Sequence, residues 1–505
     1  MALNNVYVKY SSSGLGSPAV GEDFISGMIF YTSAYPSGFS QSAQTADILS
    51  LSQAESLGIT NTSIGEIRAS GTTTITGSGN TGNIATIIVS TLVFGNVTLG
   101  AYAVAAADTT TLIATGLAAS INAGTLTHGF FATSLNAVVT VVAPVQTGVA
   151  NGFVFANTVT GTVTLSNSAF AGGVASWCDP IHYHISEYFR SNPTGEIWTM
   201  FSTTGSSTSQ YSEVVSLVNT SAGKIRQVGI YEEIAFATAN LGLIQTQITA
   251  CVANNKPISA FYQADFSSVT NLTSLTDLTT LSAPNVTTCI GQDGGNINLG
   301  GGYRLWMARN KSVGSMGLNL GATSFANVNE NTAWVGKFNM DNGAEMDTLA
   351  FANGALYSAQ SDNLITQIDS KAYTFLRKFV GIGGSYFNNN NTCITPTSDY
   401  SNVSNNRVIQ KASREVRSRL LPLVASPVYF NPDGTIALYS IAHFKNECDI
   451  ALGFMISAGE ISQFKTIINP RQNILSTKNL AVTIQIIPSG NSDIITVSLG
   501  FVLNF

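Results

Sequence analysis

Two histidines, His182 and His184, stand two residues apart in a segment opened by Asp179-Pro180. Aspartate caps helices and proline suits a helix's first turn, so the segment predicts a helix running through Phe189. On a helix, side chains at i and i+2 point about 200° apart. The two imidazoles then cannot share one ion, and a structural role is expected for both. Glu232-Glu233 follows an apolar strand, where α/β enzymes hold catalytic acids. With no His or Lys partner in the pattern, the pair is expected to be solvated loop charge. The run Gly294-Gly295-Asn296-Ile297-Asn298-Leu299-Gly300-Gly301-Gly302 has the composition of a phosphate cradle. No helix is expected to open directly after it, so it predicts a flexible loop rather than a dinucleotide site. Val313-Gly314-Ser315-Met316-Gly317 lacks the first glycine of a nucleophile elbow, and Gly223-Lys224 lacks the upstream glycine of a phosphate-binding loop. No catalytic residue, cofactor site or metal site is expected.

The most informative charged element is a predicted helix over 405–421. At about 100° per residue, Arg407, Lys411 and Arg414 fall in one narrow sector. Ile409, Ala412, Val416, Leu420 and Leu423 lie opposite. Five of the chain's 22 basic residues are here, with Arg417 and Arg419. Two readings fit: a solvated face on a core-packed helix, or a surface for an acidic partner.

The elements that must position these residues are strand-rich. Of 505 residues, 44% are hydrophobic and only 10% charged, so a sizeable core can form beneath an uncharged polar surface that is easily desolvated. That surface suits extensive subunit contacts. A net charge of −6 argues against nucleic-acid binding. Five scattered cysteines, Cys178, Cys251, Cys289, Cys393 and Cys448, form no CxxC pair and fit reduced thiols made in a cytoplasm. The apolar stretch 84–107 is broken by Gly95, Asn96, Thr98 and Gly100, which predicts two strands around a turn and no membrane segment. No secretory signal is expected at the N-terminus.

Along the chain, residues 1–25 form an arm in which Val6, Val8 and Tyr10 alternate as in a strand. Residues 68–175 change composition to Thr, Gly, Ala, Val and Asn. They predict a self-contained β-rich insertion with one short helix, capped by Asp108 and burying Leu112, Ile113, Leu117 and Ile121. Residues 26–67 with 176–375 alternate strand and helix, including a helix over 238–253, and predict an α/β layer. Residues 376–479 carry the basic helix and a further helix or strand region over 436–463. In 480–505, Val482, Ile484 and Ile486 alternate, Pro488-Ser489-Gly490-Asn491 turns, and Ile495, Val497, Leu499, Phe501 and Leu503 alternate again. Such a terminus must pair with a sheet, either its own or a neighbour's edge.

Three regions resemble the tail sheath proteins of contractile phages and related injection machines. The opening, Val6-Tyr7-Val8-Lys9 through Gly21-Glu22-Asp23-Phe24-Ile25-Ser26-Gly27, resembles the sheath N-terminal arm and first strand. The block from Gly383-Gly384-Ser385-Tyr386-Phe387-Asn388 through Asn406-Arg407-Val408-Ile409 to Arg414 is similar to the sheath C-terminal domain, and the terminal strand, Pro-Ser-Gly turn and strand complete it. The resemblance covers roughly 1–67 and 176–505. It implies a multidomain α/β and α+β chain with a sheath-type core and strand-forming N- and C-terminal arms; the β-rich insertion 68–175 falls outside the resemblance and is expected to face outward, because an insertion near the tube would block assembly. It implies a structural protein, not an enzyme, that polymerises helically around an inner tail tube and contracts to drive the tube through a host envelope. The implied partners are other copies of itself, the tail tube protein, and baseplate and tail terminator proteins, in a virion tail made in the bacterial host cytoplasm. Direct nucleic-acid or membrane contact is not expected. Arg407, Lys411 and Arg414 are then expected to face the lumen and meet the tube. The competing reading is another phage or surface structural protein, such as a tail fibre, capsid decoration or adhesin.

Overall fold

A computed structural model describes residues 22–77, 79–91, 95–144, 148–295, 300–493 and 495–497. Of the arm positions, Val6, Val8, Tyr10, Leu499, Phe501 and Leu503 lie outside the described residues.

The core is a seven-stranded sheet built from β1 (Ile25–Tyr31), β2 (Thr45–Ile48), β3 (Glu196–Ser202), β4 (Gln227–Ala235), β5 (Ser259–Asp265), β6 (Val286–Cys289) and β7 (Tyr373–Thr374). Its order is β7-β6-β5-β4-β1-β3-β2. All neighbours are parallel except β2, which runs antiparallel to β3 at one edge. Parallel strands covered on both faces are near-continuous in apolar residues, and β1 (ISGMIFY) shows why. Ile25 and Ile29 enter the core with Val228, Ile230, Leu217 and Ile244. Met28 and Phe30 enter a second core on the opposite face, with Ile181, Ile185 and Tyr188.

That second face is covered by α1 (Asp179–Ser191), and the first by α2 (Thr238–Ala253). The helices α3 (Gly301–Arg309) and α4 (Met316–Phe325) follow. Helix α4 packs tightly on α1 because two of its residues have no side chain. A Cβ on Gly317 would lie 2.1 Å from the His184 carbonyl oxygen, and one on Gly321 would lie 2.1 Å from Ser191 Oγ.

Residues 69–170 bury a hydrophobic cluster drawn entirely from their own stretch. Two four-stranded sheets and a helix, Thr110–Ala123, enclose it. Thr109, not Asp108, caps that helix, accepting from Leu112 N at 3.2 Å. Asp108 instead accepts from Ala105 N at 2.7 Å and from Tyr102 OH at 3.1 Å. Ile113, Leu117 and Ile121 are buried, while Leu112 is half exposed, because its position falls just off the inward face. Where the stretch leaves and rejoins the core, Ile67 and Val174 exchange both backbone hydrogen bonds (2.9 and 2.7 Å).

The C-terminal unit consists of α5 (Val403–Leu420) packed on α6 (Leu438–Ser457), followed by the antiparallel hairpin β8 (Ile461–Ile467) and β9 (Thr483–Pro488). Asn402 caps α5, its side chain accepting from Ser404 N at 2.9 Å.

Candidate assembly interface

Among the described residues, the histidines and the acid pair singled out in the sequence make their contacts within the chain. His182 Nε2 meets Glu55 Oε1 at 3.0 Å, while His184 is fully buried and its Nδ1 accepts from Gly317 N at 3.3 Å. Burial pushes the His184 imidazole down to about 3, so it is neutral. Glu232 and Glu233 are not solvated loop charge. They lie on β4, where Glu232 is buried and accepts from the hydroxyls of Tyr211 (2.6 Å) and Tyr262. Glu233 pairs with Arg309. The loop expectation fails because β4 continues past Tyr231, and the tyrosines that stabilise Glu232 come from other elements.

A helix, α3, does open at Gly301, against expectation. Its first amides are already occupied by carboxylates. Gly301 and Gly302 donate to Glu345, the latter at 3.2 Å, and Tyr303 N donates to Asp293 Oδ2 at 3.2 Å. An anion's place at a helix N-terminus is thus filled by the chain itself. Burial first, and then the neighbouring Glu345, pushes the Asp293 carboxyl up to about 7.

The basic helix α5 is turned the opposite way from the sequence expectation. Arg407 and Lys411 are buried, and their charged ends meet groups of the same chain. Lys411 Nζ lies 2.8 Å from Asp23 Oδ2 and 2.5 Å from Glu460 Oε1. Arg414 Nη2 donates to Asp23 Oδ1 at 2.6 Å. Arg407 donates to the carbonyls of Ala326 (3.2 Å) and Asn327 (3.1 Å), and reaches the Asp23 carbonyl at 3.5 Å. Within the subunit these three cationic ends are therefore already engaged, in place of the solvated face that the helix periodicity allowed. The physical reason is that two acids, Asp23 and Glu460, lie beneath the helix and repay part of the desolvation of its cations. The exposed bases of α5 are Arg417 and Arg419, the latter 3.9 Å from Glu447.

The apolar sector of α5, expected to be core, is half open. Ala412 is buried, but Ile409 is 38% exposed. Ile409, Val416 and Leu420 line a groove of about 550 Å³ with Leu452 of α6 and Ile484 and Ile486 of β9. The hairpin beside it has two strands only: among the described residues, β8 pairs with β9 and neither has a second partner. Beyond the hairpin, Ile495 and Val497 are 79% and 70% exposed. The sequence signalled the alternation in 482–486. Strand β8 was not separated from α6 in the sequence reading, although Gly459, at φ 72°, ends the helix two residues before the strand.

The family model described as DUF2586, C-terminal domain, matches residues 399–505, which hold α5, α6 and the hairpin. No curated protein matches the chain. Among solved structures, the chain is similar to the sheath tail protein Lin1278 from Listeria innocua, at 9% identity and a TM-score of 0.39, covering 94% of this chain and 96% of that one. It is similar to a chain of the anti-feeding prophage baseplate in the contracted state, at 11% identity and a TM-score of 0.45, covering 99% and 100%. A 6-fold symmetrised structure of that baseplate matches at 10% identity and a TM-score of 0.44, covering 64% and 80%.

Proposed function

We propose that the chain is a structural subunit of a contractile tail sheath, polymerising helically through exchanged terminal strands. The observation that carries this reading is the β8–β9 hairpin with no second partner on either strand among the described residues. An isolated two-stranded sheet is marginal in water, and open edges invite pairing. Here the hairpin sits beside an apolar groove, and the chain leaves it toward a strand-patterned terminus. A neighbour's arm adding to such an edge satisfies the backbone groups of both. Repeated head to tail without closure, that contact generates a helical filament.

In this reading the donors are the arms at 1–25 and 480–505, with Val6, Val8, Tyr10, Ile495, Val497, Leu499, Phe501 and Leu503 as the alternating positions. The filament encloses a tail tube, ends on baseplate and terminator proteins, and contracts by switching between two packings of the same subunits. No catalytic step is part of it. The stretch 68–175 is an outward module that takes no part in the lattice. Negative-stain microscopy of the purified chain tests the proposal. Long, striated, hollow tubes are expected; monomers or trimers at all concentrations overturn it in favour of a fibre, decoration or adhesin.

A further inference from the structure

We infer that Asp23 is the joint that ties the N-terminal arm to the hairpin-bearing C-terminal unit, so that load on the arm is delivered to α5 and β8. Asp23 lies in the single helical turn Glu22–Phe24, immediately before β1. This turn is where the described chain begins, directly ahead of the central strand β1. Its carboxylate is held at both oxygens by α5, by Lys411 at 2.8 Å and Arg414 at 2.6 Å. Its carbonyl is reached by Gln227 Nε2 of β4 at 3.3 Å and by Arg407 at 3.5 Å.

Lys411 is shared. The same ammonium holds Glu460, the residue just before β8, at 2.5 Å. One cation thus bridges the arm's root and the hairpin's root. The side chains of Asp23, Lys411, Arg414 and Glu460 are 9–19% exposed, so water screens these contacts weakly. Arg407 ties the same face of α5 to the Ala326 and Asn327 carbonyls that follow α4. The joint therefore brings together residues 391, 81 and 49 positions apart in the chain. Under the sheath reading, the strand a subunit donates and the edge it offers would be coupled through one lysine. The joint itself depends only on the folded subunit.

Hydrogen exchange on the full-length chain, kept below its assembly concentration, tests it. Asp23→Asn should leave the circular dichroism of the fold intact and speed exchange about tenfold at two separate places, 22–31 and 461–467. Glu460→Gln, which leaves Asp23 untouched, should speed exchange at 22–31 as well as at the hairpin. Lys378→Met, which removes the exposed pair with Asp347 (3.4 Å), should move neither. Loosening of 22–31 alone by Asp23→Asn, or of 461–467 alone by Glu460→Gln, overturns the inference. If Asp23→Asn fails to fold, the Glu460→Gln result decides. None of these readouts requires tubes, so their failure is distinct from failure of the sheath reading.

Discussion

Arg414 Nη2 lies 2.6 Å from Asp23 Oδ1, although 391 residues separate the two in the chain. The pair ties α5 to the turn that leads into β1. Burial by itself would raise the Asp23 carboxyl, but Arg414, Lys411 and Arg407 outweigh it and hold the group below its ordinary 3.8. Lys411 moves the opposite way: burial lowers it, Asp23 and Glu460 outweigh burial, and the ammonium ends above its usual range.

A carboxylate with a lowered folded-state pKa stabilises the fold above its unfolded value, and that stabilisation fades as pH falls through the folded one. The charged groups around Asp23 are Arg407, Lys411, Arg414, Glu415 and Glu460. Asp23→Asn is expected to cost about 2–3 kcal/mol at pH 7, as for a hydrogen bond to a charged group. The difference from the parent should shrink as pH drops below about 3.8. Urea denaturation of both chains at pH 7 and at low pH checks this.

Asp293 gives the opposite dependence. Its carboxyl is raised to about 7, so between its unfolded value near 3.8 and about 7 the folded state binds more protons than the unfolded one. Stability from this group is full below the unfolded value and declines as pH rises to about 7. Asp293→Asn keeps a neutral side chain beside Glu345. It should flatten the decline between pH 5 and 7, while lowering stability by about 1–3 kcal/mol at acid pH, because the amide keeps only one of the two oxygens that accept from Tyr303 N and Met346 N. A pH series of denaturant midpoints reads this directly. Parallel curves for parent and variant would show that Asp293 is ionised throughout.

Joining residue 67 to residue 176 through a short linker is expected to leave the rest of the chain folded. The Ile67 and Val174 backbones already touch at the neck, and the cluster beyond it shares no buried residue with the others. The excised stretch should show its own cooperative thermal transition by circular dichroism. The shortened chain should still form tubes under the microscope. Folded subunits that no longer polymerise would make the module part of the lattice.

Removing 492–505 should yield soluble, folded subunits unable to assemble. The hairpin ends at Pro488, and Ile495 and Val497 contribute little to the core, so the thermal midpoint should correspond to a change within about 0.5 kcal/mol. Analytical ultracentrifugation and microscopy provide the test, and ordered tubes from the truncated chain would sink the strand-exchange proposal.

The positions of α2, at 238–253, and α5 were legible because apolar residues recur at helical spacing over four turns or more. The facing of α5 was not legible. A basic stripe opposite an apolar one normally marks the solvent side, and here the acids that reverse it stand at 23 and 460. Helix α3 was missed for the same kind of reason. Glycines gave no local start signal, and the acid that satisfies its first amides, Glu345, lies more than forty residues on. Local periodicity survives in the sequence, whereas partners brought by the fold from distant positions do not.

The five cysteines are all free and buried, with burial pushing the thiols up to about 11 at Cys178, Cys251 and Cys448 and about 12 at Cys289 and Cys393. In the helical polymer proposed above every side chain would repeat at a fixed spacing, so one reactive surface thiol would become a row of potential cross-links able to freeze sliding subunits. This chain offers no such row. A single cysteine placed on its surface would be chemically distinct from every native one, giving a site for a dye or a reversible staple with which to stop a moving lattice part-way.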